Sequence, residues 1–536
     1  MKSHLAAVDW AIIAVYFAIV FAVAAWARWG GRHTRDTEDY FLAGRKAGWL
    51  VIGASLFASN IGSEHLVGLA GSGAASGVPV AQFEIIAGLV LLLLGWLFVP
   101  FYLRSGVFTM PEFLERRYSS GARTYLAVIS IVGYVLTKIA VTIAAGGIIF
   151  ESLMGIDFWT GALVVVAATG LYTLAGGLKA VLYTDLVQTV ILLAGAGIVT
   201  WLGLDAAGGW DGVRMSAGSA HFDLWRTLSD PEFPWTGILF GAPILGVWYW
   251  CTDQYIVQRV LSAKSETDAR RGTILAGFLK QLPLFLFVLP GIVAFALAQQ
   301  GAIVLDRSDA ALPALIGHVL PVGLKGVVVA GFLAALMSSL SSVFNSCATV
   351  FTIDIYKRLH PRAGERHLVV VGQLAVLVLI GLGIAWIPFM GAISGRLFTY
   401  LQSVQAYISP PIAAVFLVGV LWPRANARGA AAALAVGFVG GLARLVAELA
   451  EAHLSGWWLA FAQVNFLHVA IGLFALSVLA LVVVSLTSAP PPEDVRRLTF
   501  AGGLRPGGTA SARRADLALS LLLVALIGAV WLTFSG

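Results

Sequence analysis

The stretch Ala54–Gly73, ASLFASNIGSEHLVGLAGSG, sets polar residues and glycines in the middle of what otherwise reads as a membrane helix. Lipid offers no partner to a free backbone N–H or C=O. An interrupted helix at membrane depth therefore survives only where it is buried in protein or lines a watery cavity. Asn60, Glu64 and His65 sit inside the interruption, and ionisable groups within a membrane are functional candidates by default. Working outward, 59% of the 536 residues are hydrophobic and only 12% are charged, about half the charge of a soluble domain. Mean hydropathy is +0.88.

Fourteen apolar stretches are long enough to span a bilayer. They cover approximately 8–29, 48–76, 80–103, 123–153, 157–176, 179–204, 236–256, 271–299, 323–356, 367–389, 396–421, 428–452, 463–488 and 515–534. Asp9 before the first run, Arg28 after it and no small-residue cleavage site mark a retained span rather than a leader. The net charge of +6 is a topology signal, and nucleic acid is excluded as a partner. Basic residues gather in alternate loops, for example Arg32, Arg35, Arg45 and Lys46, then Arg104, Arg116, Arg117 and Arg123, then Arg259, Lys264, Arg270 and Arg271. By the positive-inside rule, both termini lie outside the cytoplasm of a cell membrane, expected to be a bacterial inner membrane. Cys251 and Cys347 lie in apolar segments and read as small buried hydrophobes.

The interrupted second span has a counterpart five spans later in FGAPILGVWYWCTDQ (Phe240–Gln254), where Pro243 and Gly246 are expected to break the helix. Paired broken helices in corresponding halves point to a transporter of inverted repeats. The expected organisation is a first span and loop (1–47), a first five-helix repeat (48–204), an outer loop (205–235) and a second repeat (236–421). Two peripheral helices (422–488), a Pro/Gly-rich linker (489–514) and a last helix (515–536) follow.

In the ninth span, Ser338, Ser342, Asn345, Thr349 and Thr352 recur at helical spacing. This wet stripe reads either as helix–helix hydrogen bonding or as one wall of a cation site. In the second case the Ser338 and Ser339 hydroxyls join carbonyls freed at Ala58 and Ile61. Asp185 in the sixth span serves a second ion or an exit path, or pairs with a neighbouring helix. Glu84 and Lys280 are charges in apolar runs and must face protein or water, as a structural ion pair or as polar contacts for a polyhydroxyl solute. Asn60 and Gln402 add amides, and Tyr249 and Trp250 a flat apolar face. His65 is either a contact or a packing histidine.

The segments around these residues, including GWLFVPFYLRSGVFTMPEFLERRY, LYTLAGGLKAVLYTD, WYWCTDQYIVQRVLSAK, LMSSLSSVFNSCATVFTIDIY and YLQSVQAYISPPIAAVFLVGVLWPR, closely resemble the sodium:solute symporter family, and within it the sodium–glucose cotransporters. The likeness covers roughly residues 40–428. It implies an all-α integral membrane protein of the leucine-transporter fold, with two inverted five-helix repeats plus peripheral helices. It also implies sodium-driven symport of a monosaccharide such as glucose or galactose by alternating access. Carried over, the sodium (Na+) site falls on Ala58, Ile61, Ala335, Ser338 and Ser339. The sugar contacts fall on Asn60, His65, Glu84, Lys280 and Gln402, with Tyr249 as inner gate and Trp250 beside it. Leu69, Phe83 and Phe398 form the outer gate, and Asp185, Ser341 and Ser342 serve a second sodium or an exit path. Ala335 stands where some relatives have serine, Ile85 where they carry tryptophan, and Gly246 where a threonine is seen. No obligate protein partner is implied. Symport of another solute (inositol, sialic acid, a carboxylate) and a transporter-like sensor are the alternatives. An enzyme would need clustered His, Cys or paired acids at one membrane level, which the sequence does not present.

Overall fold

The computed structural model describes residues 5–29, 37–62, 64–387, 397–500 and 507–535. These are almost entirely helical, and the regular elements are helices joined by turns. Eleven helices are long and apolar enough to cross a membrane, and the bent pair Trp49–Asn60 and Glu64–Ser76 makes a twelfth. Two shorter apolar helices, Phe158–Leu174 and Gly237–Thr252, complete the set. Each overlaps one of the fourteen stretches, in the same order along the chain. Helices dominate because every backbone polar group at membrane depth must be satisfied within its own segment.

Burial separates a core from a periphery. Within its most apolar window the ninth span, Leu324–Leu359, is 94% buried, and the third (Val78–Ser105) and eighth (Glu266–Gln299) are 72% buried. The first span and the last, Ala510–Thr533, are only 28% buried. The fifth and sixth spans turn into one another at Gly177, whose φ of 58° only glycine adopts readily. Together they make the broadest contact with the ninth. Asp9 anchors the N-terminus of the ninth span from outside it, accepting hydrogen bonds of 2.8 Å from both the Gly323 and Gly326 amides. Four orphan donors begin every helix, so a carboxylate there satisfies two and complements the dipole.

The first break lies where the sequence places it. The helix runs through Asn60, Ile61 is extended, and the axis bends by 62° before Glu64. The Gly62 N–H reaches the Asn60 carbonyl at 3.0 Å instead of the Ala58 carbonyl that a continuing helix would use. The second break is displaced from its expected position. Helix continues through Pro243 and Gly246 and stops only at Asp253, which is extended and begins the helix Gln254–Leu261. A wide π-turn over Gly237–Gly241 precedes the proline, which sits in the first turn of Ala242–Gly246, where its missing N–H is tolerated. At Gly246 a Cβ would stand 3.0 Å from a Val90 methyl, so this glycine serves close packing.

Three arginines counted with the inside-positive loops lie inside the protein. Arg117, Arg259 and Arg270 are fully buried: each answers carbonyls, a hydroxyl or an acid within the protein rather than headgroups. Arg270 pairs with the buried Asp516 at 2.6 Å, and Arg271 with the same acid at 2.8 Å. With Trp96–Ser520 (3.0 Å) and Trp531–Gln82 (2.8 Å), these contacts dock the last helix across the third and eighth spans.

Candidate functional site

Both breaks deliver side chains to one buried cluster. From the first come Asn60 and His65, from the third span Glu84, from the eighth Lys280, and from the end of the seventh Tyr249 and Trp250. All six are less than a tenth exposed. Lys280 donates to Glu84 and to the Asn60 side-chain carbonyl, while the Asn60 amide donates to the Tyr249 hydroxyl at 3.0 Å. His65 Nε2 lies 3.4 Å from Glu84 Oε1, and the Lys280 ammonium sits 5.5 Å from the centre of the Trp250 ring. Lys280 and Glu84 are thus neutralised by each other, as a charge pair removed from water requires. Asn60, Glu84, Lys280 and Tyr249 are thus engaged with one another. Gln402 is half-buried on the eleventh span, which packs against the Glu64–Leu69 turn.

A second buried cluster lies on the other side of the first break. Asp185 accepts from Ser338 (2.5 Å) through one oxygen and from Ser55 (2.5 Å) and Ser59 (3.1 Å) through the other. Ser342 meets the Ser59 hydroxyl at 2.9 Å, and the Arg259 Nε donates to that same hydroxyl at 2.9 Å. The neighbouring serines Ser338 and Ser339 therefore diverge. Ser338 turns to Asp185, whereas Ser339 approaches the Ser59 carbonyl at 3.4 Å and the Tyr255 hydroxyl at 3.3 Å, facing the break. Ser341 bonds back to the Ser338 carbonyl at 3.0 Å. Ala58, Ile61 and Ala335 are completely buried. Farther along the stripe, Thr349 serves helix–helix bonding, accepting from Gln258 at 2.8 Å.

Of the gate residues, Leu69 is buried and Phe83 meets Phe233 edge-on at 6.3 Å. The side chain of Phe398 lies outside the described residues. A narrow cavity opens beside the second break, lined by Ser130, Tyr134, Thr137, Lys138, Trp248, Asp253 and Gln405 with Ile129, Gly133, Ile408 and Ile412.

Four polar residues at the centre escaped the sequence reading of the site: Lys138, Asp253, Tyr255 and, as a buried group, Arg259. Lys138 bonds Glu64 Oε1 at 2.9 Å and hangs over the Tyr249 and Tyr255 rings. The rule that singled out Glu84 and Lys280, a charge in an apolar run, applies equally to VLTKIAV around Lys138. Asp253 accepts from Tyr134 and caps the helix that follows. Arg259 was hidden by its nearness to a loop.

The sodium:solute symporter profile matches residues 40–437. The chain belongs to that family. It is 41% identical over 540 residues to a sodium/glucose cotransporter 4 of Danio rerio, covering 93% of this chain and 82% of the relative. It is 40% identical to a sodium/myo-inositol cotransporter 2 of Mus musculus, covering 96% and 82%. Among solved structures, a sodium-coupled sialic acid symporter superposes with a TM-score of 0.78 over 91% of this chain and 99% of its own, at 21% identity. The fold is that of the leucine-transporter class, and the protein is a multi-pass membrane transporter of this family.

Proposed function

We propose that the protein carries a monosaccharide, glucose or galactose being the first candidates, across the membrane with sodium by alternating access. The observation that supports this most directly is the convergence of both helix breaks on Asn60, His65, Glu84, Lys280, Tyr249 and Trp250. Hydroxyls both donate and accept. A set holding an ammonium, a carboxylate, an amide and a phenol beside an indole face matches them on every side. In the closed cluster these groups satisfy one another, and solute hydroxyls replace those partners when the site opens. Gln402 joins from the eleventh span, with Leu69, Phe83 and Phe398 gating from outside and Tyr249 from within.

Sodium binds as co-substrate at the first break, held by the Ala58, Ile61 and Ala335 carbonyls with the Ser339 hydroxyl. Ser338 bridges this point to Asp185, where a second ion or the exit path involves Ser341 and Ser342. The two five-helix repeats, 48–204 and 236–421, rock about this centre, with both termini outside the cytoplasm. Bound sodium favours the state in which the solute site is formed, and shifts the equilibrium only by its differential affinity for the two states. At 100 mV each charge contributes about 2.3 kcal/mol and a tenfold gradient about 1.4. One sodium thus sustains roughly 500-fold accumulation of a neutral solute.

Uptake of labelled glucose and galactose into proteoliposomes, with inward sodium or potassium gradients, tests the proposal. Saturable uptake in sodium alone is expected, and equal uptake in potassium refutes coupling. The 40% identity to a sodium/myo-inositol cotransporter favours inositol as a second substrate candidate, and competition by unlabelled inositol separates the two.

A further inference from the structure

Glu64, in the central cluster, has a buried oxygen left over among the described residues. Its side chain is fully buried. Oε1 accepts from Lys138 at 2.9 Å and lies 3.8 Å from His65 Nδ1. Oε2 has no hydrogen-bond partner among the described residues. A buried carboxylate oxygen without a partner is costly to desolvate, and an ion is one partner that would satisfy it. Its position indicates which ligand. Oε2 and the Ser339 hydroxyl both lie within 3 Å of the point where a Cβ on Gly62 would stand, at 2.2 and 2.9 Å. The unsatisfied oxygen and the hydroxyl therefore both crowd against the break at Gly62, an approach that a side chain at position 62 would block.

We propose that Glu64 is an anionic ligand of the coupling sodium, and that Lys138 is the internal cation that neutralises it when the ion is away. The inference rests on the sodium reading given above. Oxygen ligands with one negative charge suit a hard monovalent ion. Without sodium, the two acids Glu64 and Glu84 are balanced by the two lysines Lys138 and Lys280. With sodium on Oε2, Lys138 loses part of its counter-charge. It already borders the narrow cavity beside the second break and stands over the Tyr249 ring at 4.9 Å, so it turns a stronger donor toward the solute path. Ion binding at one break is thereby felt at the other.

Direct binding of 22Na+ to the purified full-length protein, measured by scintillation proximity without any sugar, tests this. Glu64→Gln is expected to raise half-saturating sodium about tenfold. Lys138→Met is expected to lower it, because sodium becomes the only counter-charge of Glu64. The double variant E64Q/K138M leaves no unpaired buried charge, and size-exclusion and thermal unfolding verify its fold. If Glu64 is a ligand, the double variant stays weak for sodium. If the pair is only structural, it returns to the wild-type value, and the inference is overturned. Wild-type affinity in Glu64→Gln overturns it equally. Absence of 22Na+ binding to the wild type instead overturns the sodium reading itself.

Discussion

In the second span the helix stops because its own side chains and a glycine need room. In the seventh it passes a proline and a glycine unharmed and stops at an aspartate. The first break is an interruption of packing: Ile61 is extended, the Gly62 amide folds back onto the Asn60 carbonyl, and Glu64 and Ser339 fill the space beside Gly62. The second is an interruption by capping: the Asp253 side chain accepts from the Tyr255 amide at 3.2 Å and from the Tyr134 hydroxyl, and its carbonyl starts the next helix. The difference is instructive because the proposed two-repeat organisation sets these two positions against each other. On the proposed function the first break hosts an ion, which needs open backbone and oxygen ligands. A break that borders a solute path needs a rigid corner from which Tyr249 and Trp250 project.

The Lys280–Glu84 pair bolts the two breaks together, since Lys280 also holds Asn60 and lies over Trp250. Removing it should therefore erase the distinction altogether. Glu84→Ala leaves a buried ammonium uncompensated, worth about 3–5 kcal/mol. Solute affinity in equilibrium binding should fall on the order of 100-fold, and retained affinity would detach the pair from the solute site. Next in size, Gly62→Ala pushes a methyl into Glu64 Oε2 and the Ser339 hydroxyl. Overpacking of this kind costs about 1–3 kcal/mol, and half-saturating sodium in uptake assays should rise roughly tenfold. Asp253→Ala strips the cap and the acceptor of Tyr134, and should cost about 1–2 kcal/mol. This should read as a lowered thermal midpoint and weakened solute binding, with 22Na+ affinity kept within about threefold. A larger loss of sodium than of solute affinity would reverse the assignment of the two breaks. Smallest of all, Gly246→Ala meets only a Val90 methyl at 3.0 Å. It should change stability by less than about 1 kcal/mol, and a severe effect would mean that glycine there breaks the helix after all.

The first break was legible because its signal is local. Polar residues and glycines inside an apolar run cannot be reconciled with lipid, wherever the rest of the chain goes. Glu84 and Lys280 were legible for the same reason, as isolated charges that must find partners. The second break was misplaced because proline and glycine are tolerated within membrane helices when neighbouring turns re-satisfy the backbone, and the π-turn before Pro243 precedes just such a site. Asp253 gives little local warning, since an acid beside a polar Thr-Asp-Gln run resembles a loop. Arg259 and Arg270 were counted with the cytoplasmic loops because a charge near a helix end looks the same whether it faces headgroups or a buried acid.

Composition, run length and the polar gap at Asn60–His65 determined on their own that the chain spans the membrane many times and interrupts a helix inside it. The reason is that the bilayer applies the same rule to every segment separately. Which charges meet was decided only by the tertiary structure. The pairing of Lys280 with Glu84, of Lys138 with Glu64, and of Ser338 rather than Ser339 with Asp185 depends on how helices far apart in sequence are rotated against one another. A partner chosen across 70 to 200 residues of chain leaves no periodic trace in either segment.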